Sequence, residues 1–254
     1  MIELQLHGHT AVVTLSRPPA NAFSLEGLQQ LRQTIVELNA NVAVRALVIT
    51  GSGAKFFCAG ADLNTFANGD RAKALDMAQA FGAAFEALAE SRLVTIAAIN
   101  GYAMGGGLEC ALATDIRVAE QHAQLALPEA AVGLLPCGTG TQMLPALVGE
   151  GWAKRMILLG ERVDAPTALR IGLVEEVVDR GQALDKALAL AERVGAQSPD
   201  SVLACKGLIH AARQSVPRAA ALSQERERFI ELFNRPNQRE GVNAFLEKRK
   251  AAWQ

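Results

Sequence analysis

The chain predicts an α/β fold with a mixed central sheet covered by helices, and three observations carry that prediction. Short apolar runs of strand character end in glycine turns and give way to helical periodicity. This order of strand, glycine turn and helix recurs through the first half, as a sheet with helical cover requires. From Gln182 onward the pattern is wholly helical, punctuated by Pro199, Pro217 and Pro236.

In chain order, residues 2–6 and 11–15 alternate apolar and polar side chains around a short Gly-His turn, an antiparallel hairpin. His7 and His9 flank Gly8 there and are read as turn residues. Ser24 is placed to cap a helix in which Leu28, Leu31, Ile35 and Leu38 recur at helical spacing. Residues 44–50 form a nearly continuous apolar strand that stops at Gly51-Ser52-Gly53. A loop of small residues around Cys58-Ala59-Gly60-Ala61-Asp62 follows, then a long helix over about 71–90 and a strand over 94–99. Residues 108–113 read as the start of a buried helix. Beyond Gly133, residues 142–148, 153–159 and 165–170 read as short helices and 174–178 as a late strand. The last helices carry Leu222, Phe229, Phe233 and Phe245, more apolar surface than an appendage needs. A subunit interface is preferred to internal packing as the reason for them.

The 254 residues suffice for one domain, or one domain with a small appendage, and half of them are hydrophobic. With a formal net charge of -1 and both signs mixed along the chain, no patch calls for nucleic acid. A short cationic rim (Lys248, Arg249, Lys250) is the one local exception. No apolar run reaches transmembrane length, and the first residues are a strand rather than a basic-then-apolar leader. A cytoplasmic protein without a membrane partner is expected. Four cysteines (Cys58, Cys110, Cys137, Cys205) form no paired motif and the four histidines are scattered, so no metal site is expected. The thiols are expected reduced, in or near a core.

The densest chemical signal is Asn100-Gly101-Tyr102-Ala103-Met104-Gly105-Gly106-Gly107-Leu108-Glu109. Three glycines between a strand and a buried helix bring backbone close to something and expose the first N–H groups of the helix. Such a site holds negative charge without a lysine or arginine. Residues 58–62 are a second small-residue segment, and one amide from each would make a two-donor oxyanion hole. Neither segment matches a phosphate-binding loop or a dinucleotide fingerprint. Glu109 lies among Leu108, Cys110, Ala111 and Leu112, and Glu129 follows Pro128 in another apolar segment. A carboxyl shielded from water has its pKa pushed toward neutrality, where general acid–base work needs it.

With these residues in view, the chain resembles the enoyl-CoA hydratase/isomerase family, the crotonase fold, along nearly its whole length. The resemblance rests on Arg17-Pro18-Pro19-Ala20-Asn21-Ala22, Phe57-Cys58-Ala59-Gly60-Ala61-Asp62-Leu63, the Asn100 to Glu109 run, Ala113-Thr114-Asp115-Ile116, and Pro128-Glu129 leading into Gly140-Thr141-Gln142. It implies a crotonase-like spiral of ββα units over 1–195 and a C-terminal helical trimerisation region over 196–254. It assigns the oxyanion amides to Ala61 and Gly106 and the acid–base pair to Glu109 and Glu129. Coenzyme A enters as part of the thioester substrate, not as a separate cofactor, along Ala20, Asn21 and Ala22 and along Ala59, Ala61, Asp62 and Leu63. Phe245 and Lys248 of a neighbouring subunit would complete that site, in a homotrimer or a hexamer built from two trimers. Keeping both glutamates looks like a hydratase acting on trans-2-enoyl-CoA. The alternative is a 3,2-enoyl-CoA isomerase or another enolate-stabilising reaction, with non-catalytic acyl-CoA binding as the rival from another class. Where hydratases typically read Pro-Gly-Ala-Gly-Gly-Thr-Gln, this chain reads Pro136-Cys137-Gly138-Thr139-Gly140-Thr141-Gln142. Cys137 keeps the amide that faces the attacking water in the family but adds a thiol, and Met143 replaces a common arginine.

Overall fold

Residues Ile2–His7 (β1) and Thr10–Leu15 (β2) pair antiparallel in the expected hairpin, in a computed structural model that describes residues 1–213 and 216–254. Residues 214–215, which the helical reading of the C-terminal part also covers, lie outside the described residues. Helix α1 (Leu25–Ala40) starts where Ser24 Oγ accepts the Gly27 N–H, and it buries Leu28, Leu31, Ile35 and Leu38 on one stripe. Strand β3 (Ala46–Gly51) is followed by the short β4 (Phe56–Cys58), a 3-10 turn at Leu63–Phe66, and α2 (Arg71–Ala89). Next come β5 (Val94–Ile99), β6 (Tyr102–Met104), α3 (Gly106–Leu112), β7 (Ile116–Glu120) and β8 (Gln124–Ala126). A 3-10 turn at Glu129–Val132 leads to α4 (Gly140–Leu158), β9 (Val163–Asp164), α5 (Ala165–Arg170) and β10 (Glu176–Val178). Helices α6 (Ala183–Gly195), α7 (Pro199–Ala211), α8 (Arg218–Leu232) and α9 (Pro236–Leu246) finish the chain.

Two sheets result. The larger runs β1-β2-β3-β5-β7-β10, parallel after the first hairpin; the smaller runs β4-β6-β8-β9. Successive strands alternate between the sheets: β3 then β4, β5 then β6, β7 then β8. All six residues of β3 are buried, and the period of two divides them between the faces of the sheet. Leu47 and Ile49 join the main core with Ala97 and Ile99, whereas Val48 joins Ile96, Ala98 and Val118 on the other side. There α6 presents Ala183, Ala187 and Ala191 at helical spacing, small enough for a close approach to the sheet.

The chain divides into two compact units, 1–191 and 192–254. In the second, Asn237 Nδ2 donates to Asp200 Oδ2 (2.7 Å) and Trp253 Nε1 to the Ala196 carbonyl (3.0 Å). Helix α8 buries none of its residues there.

Several elements differ from the sequence reading. Strands β4, β6, β8 and β9 were not predicted, having only two or three residues each, too few for a period to register. Strand β7 is hidden by Arg117 and Glu120, charges that read as exposed yet are 2% and 4% accessible. The Arg117 guanidinium is satisfied by the Glu175 carboxylate and by the Leu173 and Thr114 carbonyls. The helices expected over 142–148 and 153–159 are the two arms of α4, kinked where Gly149 adopts φ 77°. Cys58 and Cys110 are buried as expected, but Cys137 and Cys205 are exposed.

Candidate active site

Two strand ends of the smaller sheet bring the glycine-rich segments together. Residues 59–62 leave β4 laced to residues 20–23: Ala59 N donates to the Ala20 carbonyl, Phe23 N to that of Gly60, and Asp62 N to that of Phe23. Residues 105–107 leave β6, which pairs with β4. The glycines here serve close approach. A Cβ on Gly107 would stand 2.2 Å from the Cys58 carbonyl oxygen, so only glycine lets α3 sit against β4. A Cβ on Gly60 would meet the Met104 carbonyl oxygen at 2.7 Å and the Gly106 nitrogen at 3.1 Å. The residue preceding Ala61 therefore touches the backbone of Gly106. No protein acceptor takes the Ala61 or Gly106 N–H among the described residues.

Both residues line one cavity of about 770 Å³, and so do Glu109 and Glu129. Glu109 is the fourth residue of α3 and only 2% accessible. Its Oε1 accepts three main-chain N–H groups, from Gly138 (2.8 Å), Thr139 (3.0 Å) and Gly140 (2.8 Å). Burial pushes its pKa up, and the three donors offset that only in part, so it stays above the usual carboxylate range. Glu129 opens the 3-10 turn after β8. Its Oε1 lies 3.0 Å from where a Gly105 Cβ would stand, and its Oε2 is buried without a hydrogen-bond partner among the described residues. Burial, with a smaller contribution from the Glu109 charge, raises its pKa to about 7. One carboxylate thus accepts three amides on a single oxygen, whereas the other leaves its buried Oε2 without a donor among the described residues.

The segment that cradles Glu109 was only partly legible. Its glycines at 138 and 140 sit where a Cβ would crowd Phe85, Pro136 and the Glu109 carboxylate itself. Thr139 holds φ 155° although it has a Cβ, and its buried Oγ1 has no partner among the described residues. Cys137 is solvent-accessible yet lines the cavity, where partial desolvation and the charges of both glutamates push its thiol up to about 11, so it stays a neutral thiol. Beneath the site Phe23, Phe81 and Phe85 pack ring to ring with centroids 5.5–5.8 Å apart, and Phe81 abuts Gly106.

The residues expected along coenzyme A fall into different situations. Ala59, Ala61 and Leu63 line the cavity. The Asp62 carboxylate is taken by Arg17 Nη2 (2.7 Å) and by the Asn64 amide, which hold it below the usual carboxylate range. Asn21 is 2% accessible, and its side chain is consumed internally. Nδ2 donates to the Ser52, Phe56 and Phe57 carbonyls, and Oδ1 accepts from Arg17 N and Ser52 Oγ. Asn21 is thus a peg that fixes the loops rather than a free donor, and Ala20 and Ala22 on either side of it are half-buried. The Arg17 pair was missed, since nothing local in the sequence marks an ion pair 45 residues apart. Phe245 and Lys248 lie in the second unit, at the end of α9, with Phe245 83% accessible.

A family model described as enoyl-CoA hydratase/isomerase matches residues 6–254. The chain belongs to that family. A solved structure of Pseudomonas aeruginosa DspI is similar to it at 62% identity and a TM-score of 0.97, covering 100% of this chain and 96% of the other. The 2,3-dehydroadipyl-CoA hydratase of Escherichia coli is 39% identical over 94% of this chain and 92% of its own. The short-chain-enoyl-CoA hydratase of Clostridium acetobutylicum is 36% identical over 97% and 95%. The two alternating sheets and helical C-terminal region of this chain are the crotonase fold of this enoyl-CoA hydratase/isomerase family, and an enoyl-CoA hydratase structure from Bacillus anthracis is similar to it throughout (TM-score 0.95, 34% identity).

Proposed function

We propose that this chain is an enoyl-CoA hydratase that adds water across the 2,3 double bond of a trans-2-enoyl-CoA to give a 3-hydroxyacyl-CoA. The observation that carries the reading is the unlike pair Glu109 and Glu129 in one cavity with two unclaimed amides. The family membership and the hydratases among the similar proteins support it.

In this reading the Ala61 and Gly106 N–H groups take the thioester carbonyl oxygen, which draws electron density from C3 and stabilises the enolate that develops. Glu109, a buried carboxyl raised in basicity and held in place by three amides on Oε1, removes a proton from water as the water oxygen bonds to C3. Glu129, whose partnerless Oε2 favours the neutral acid near pH 7, delivers its proton to C2. The two carboxyls titrate as a pair, and the proton left on Glu109 restores Glu129 through solvent before the next turnover. The Cys137 amide orients the water, its neutral thiol forming part of the wall.

The finer readings belong to the same proposal. The core spans 1–195 and the helical oligomerisation region 196–254, close to the division between the two units. Assembly is a homotrimer or a dimer of trimers, supported by the exposed Phe229, Phe233 and Phe245. Four free thiols fit a cytoplasmic, reducing compartment, and among the described residues no helix is long and apolar enough to cross a membrane. Incubating the enzyme with crotonyl-CoA in ¹⁸O-water, beside 3-hexenoyl-CoA, tests the reaction. Label at C3 of a 3-hydroxyacyl product is expected. Turnover of the 3-enoyl substrate alone, without label, would replace hydration by isomerisation.

A further inference from the structure

Resting on the hydratase reading, we propose that the acyl end of this cavity selects an uncharged hydrocarbon chain longer than four carbons, and that Ala74 and Ala78 of α2 set its length. Apart from Glu109, Glu129 and the Cys137 thiol, every side chain on the cavity wall is apolar or glycine. No lysine, arginine, histidine, hydroxyl or amide side chain is among them. An acyl group ending in a carboxylate would leave water here with nothing to pair it, at a prohibitive desolvation cost. The two carboxyls are engaged at the reacting carbons and offer no compensation at a distant chain end.

Length follows from how the wall is built. Ala74 and Ala78 stand one helical turn apart on the face of α2 that also carries Phe81 to the wall. Alanines on that stripe leave open the space that leucine or phenylalanine would close. Across the cavity, Leu63 and Phe66 come from one loop and Val132 and Leu135 from another. With Leu63 given to the coenzyme A side, Val132 and Leu135 stay 55% and 66% accessible, an apolar rim that a crotonyl group is too short to cover. The cavity of about 770 Å³, in the upper part of the usual range for ligand sites, takes the pantetheine end beside Ala59, Ala61 and Leu63 and extends past the two glutamates to Ala74, Ala78, Val132 and Leu135. Each further methylene buried is worth about a fourfold gain in binding.

The test measures kcat/KM for crotonyl-CoA, trans-2-octenoyl-CoA and the octenoyl ester bearing a terminal carboxylate, on the parent enzyme and on Ala74→Leu and Ala78→Leu. The octenoyl ester is expected to exceed crotonyl by about tenfold or more and its carboxylated analogue by about a hundredfold. In the leucine variants the octenoyl-to-crotonyl ratio falls about tenfold. Equal use of the carboxylated ester, a parent preference for crotonyl, or an unchanged ratio in both variants overturns the proposal. Should none of the 2-enoyl esters gain water, it is the hydratase reading that fails. Calorimetric binding of saturated octanoyl-CoA against butyryl-CoA, with the same variants, then decides the pocket by the same ratios.

Discussion

Glu109 and Glu129 are the same residue type in one cavity, and what separates them is the supply of N–H donors. Three amides reach Glu109 and none reaches the Glu129 Oε2, whose pKa of about 7 reflects burial first and its neighbour's charge second. The sign of the consequence is fixed. Between the unfolded value near 4.5 and about 7 the folded protein binds more protons at Glu129 than the unfolded chain does. The stability associated with the neutral acid is complete below 4.5 and is lost as pH rises through 7. Glu129→Gln, always neutral, is therefore expected to gain on the parent in urea midpoint as pH goes from 5 to 8, while its hydration rate falls about 10²- to 10⁴-fold. Midpoints that run parallel across that range would show that Glu129 is not titrating there. Thr139 presents the complementary case, in which strain supports the site. Its φ of 155° and partnerless hydroxyl cost stability, yet its N–H still reaches Glu109. Thr139→Gly should raise stability by about 1 kcal/mol, after the entropy cost of glycine is deducted, in the same urea titration.

At the scale of elements, the site depends on how tightly α3 seats on β4. The Gly107→Ala methyl would arrive 2.2 Å from the Cys58 carbonyl oxygen, an atom of backbone that cannot rotate away. Overpacking of this kind costs about 3 kcal/mol, and the expected result is a matching fall in stability with the Gly106 amide displaced. An unchanged thermal midpoint would mean that α3 shifts freely. This contact also explains why some elements were legible and others not. Residues 94–109 spell a strand, a triple glycine and a helix in one stretch, so β5, α3 and Glu109 follow from local pattern. The capped stripe of α1 is legible for the same reason. The smaller sheet is not, because β4 and β6 pair across 45–46 residues of chain and β6 and β8 across 22, and three residues hold no periodicity. Nor does sequence spacing disclose that residues 138–140 wrap Glu109, or that Asn21 turns inward to three carbonyls. Each is a tertiary contact made by backbone atoms that every residue possesses. The family resemblance points to the glutamates and the glycines, and only the fold separates the donor-rich carboxyl from the donor-poor one.

For the whole molecule, the second unit poses the sharpest question of stability. A helix of fifteen residues that buries none of them cannot be held by its own propensity. Phe229 and Phe233, with ring centroids 5.5 Å apart, are 59% and 56% accessible, and Ile230 is 63%. Apolar groups so placed in a folded chain are stable in water when a neighbour covers them. Other copies of this chain are the proposed cover, and the Phe229→Glu/Phe233→Glu double variant tests it. Sedimentation velocity is expected to find the parent as trimer or hexamer and the variant at the mass of a single chain. A parent that sediments as a single chain would remove the proposal. The proposed contribution of Phe245 and Lys248 to a neighbour's coenzyme A site adds a second readout. The dissociated variant keeps Glu109, Glu129 and both amides, so its loss should appear mainly as a higher KM for the CoA ester rather than a lower kcat. Were kcat to fall with KM unchanged, the helices would be supporting the chemistry through the fold of the first unit, and coenzyme A would be held within a single chain.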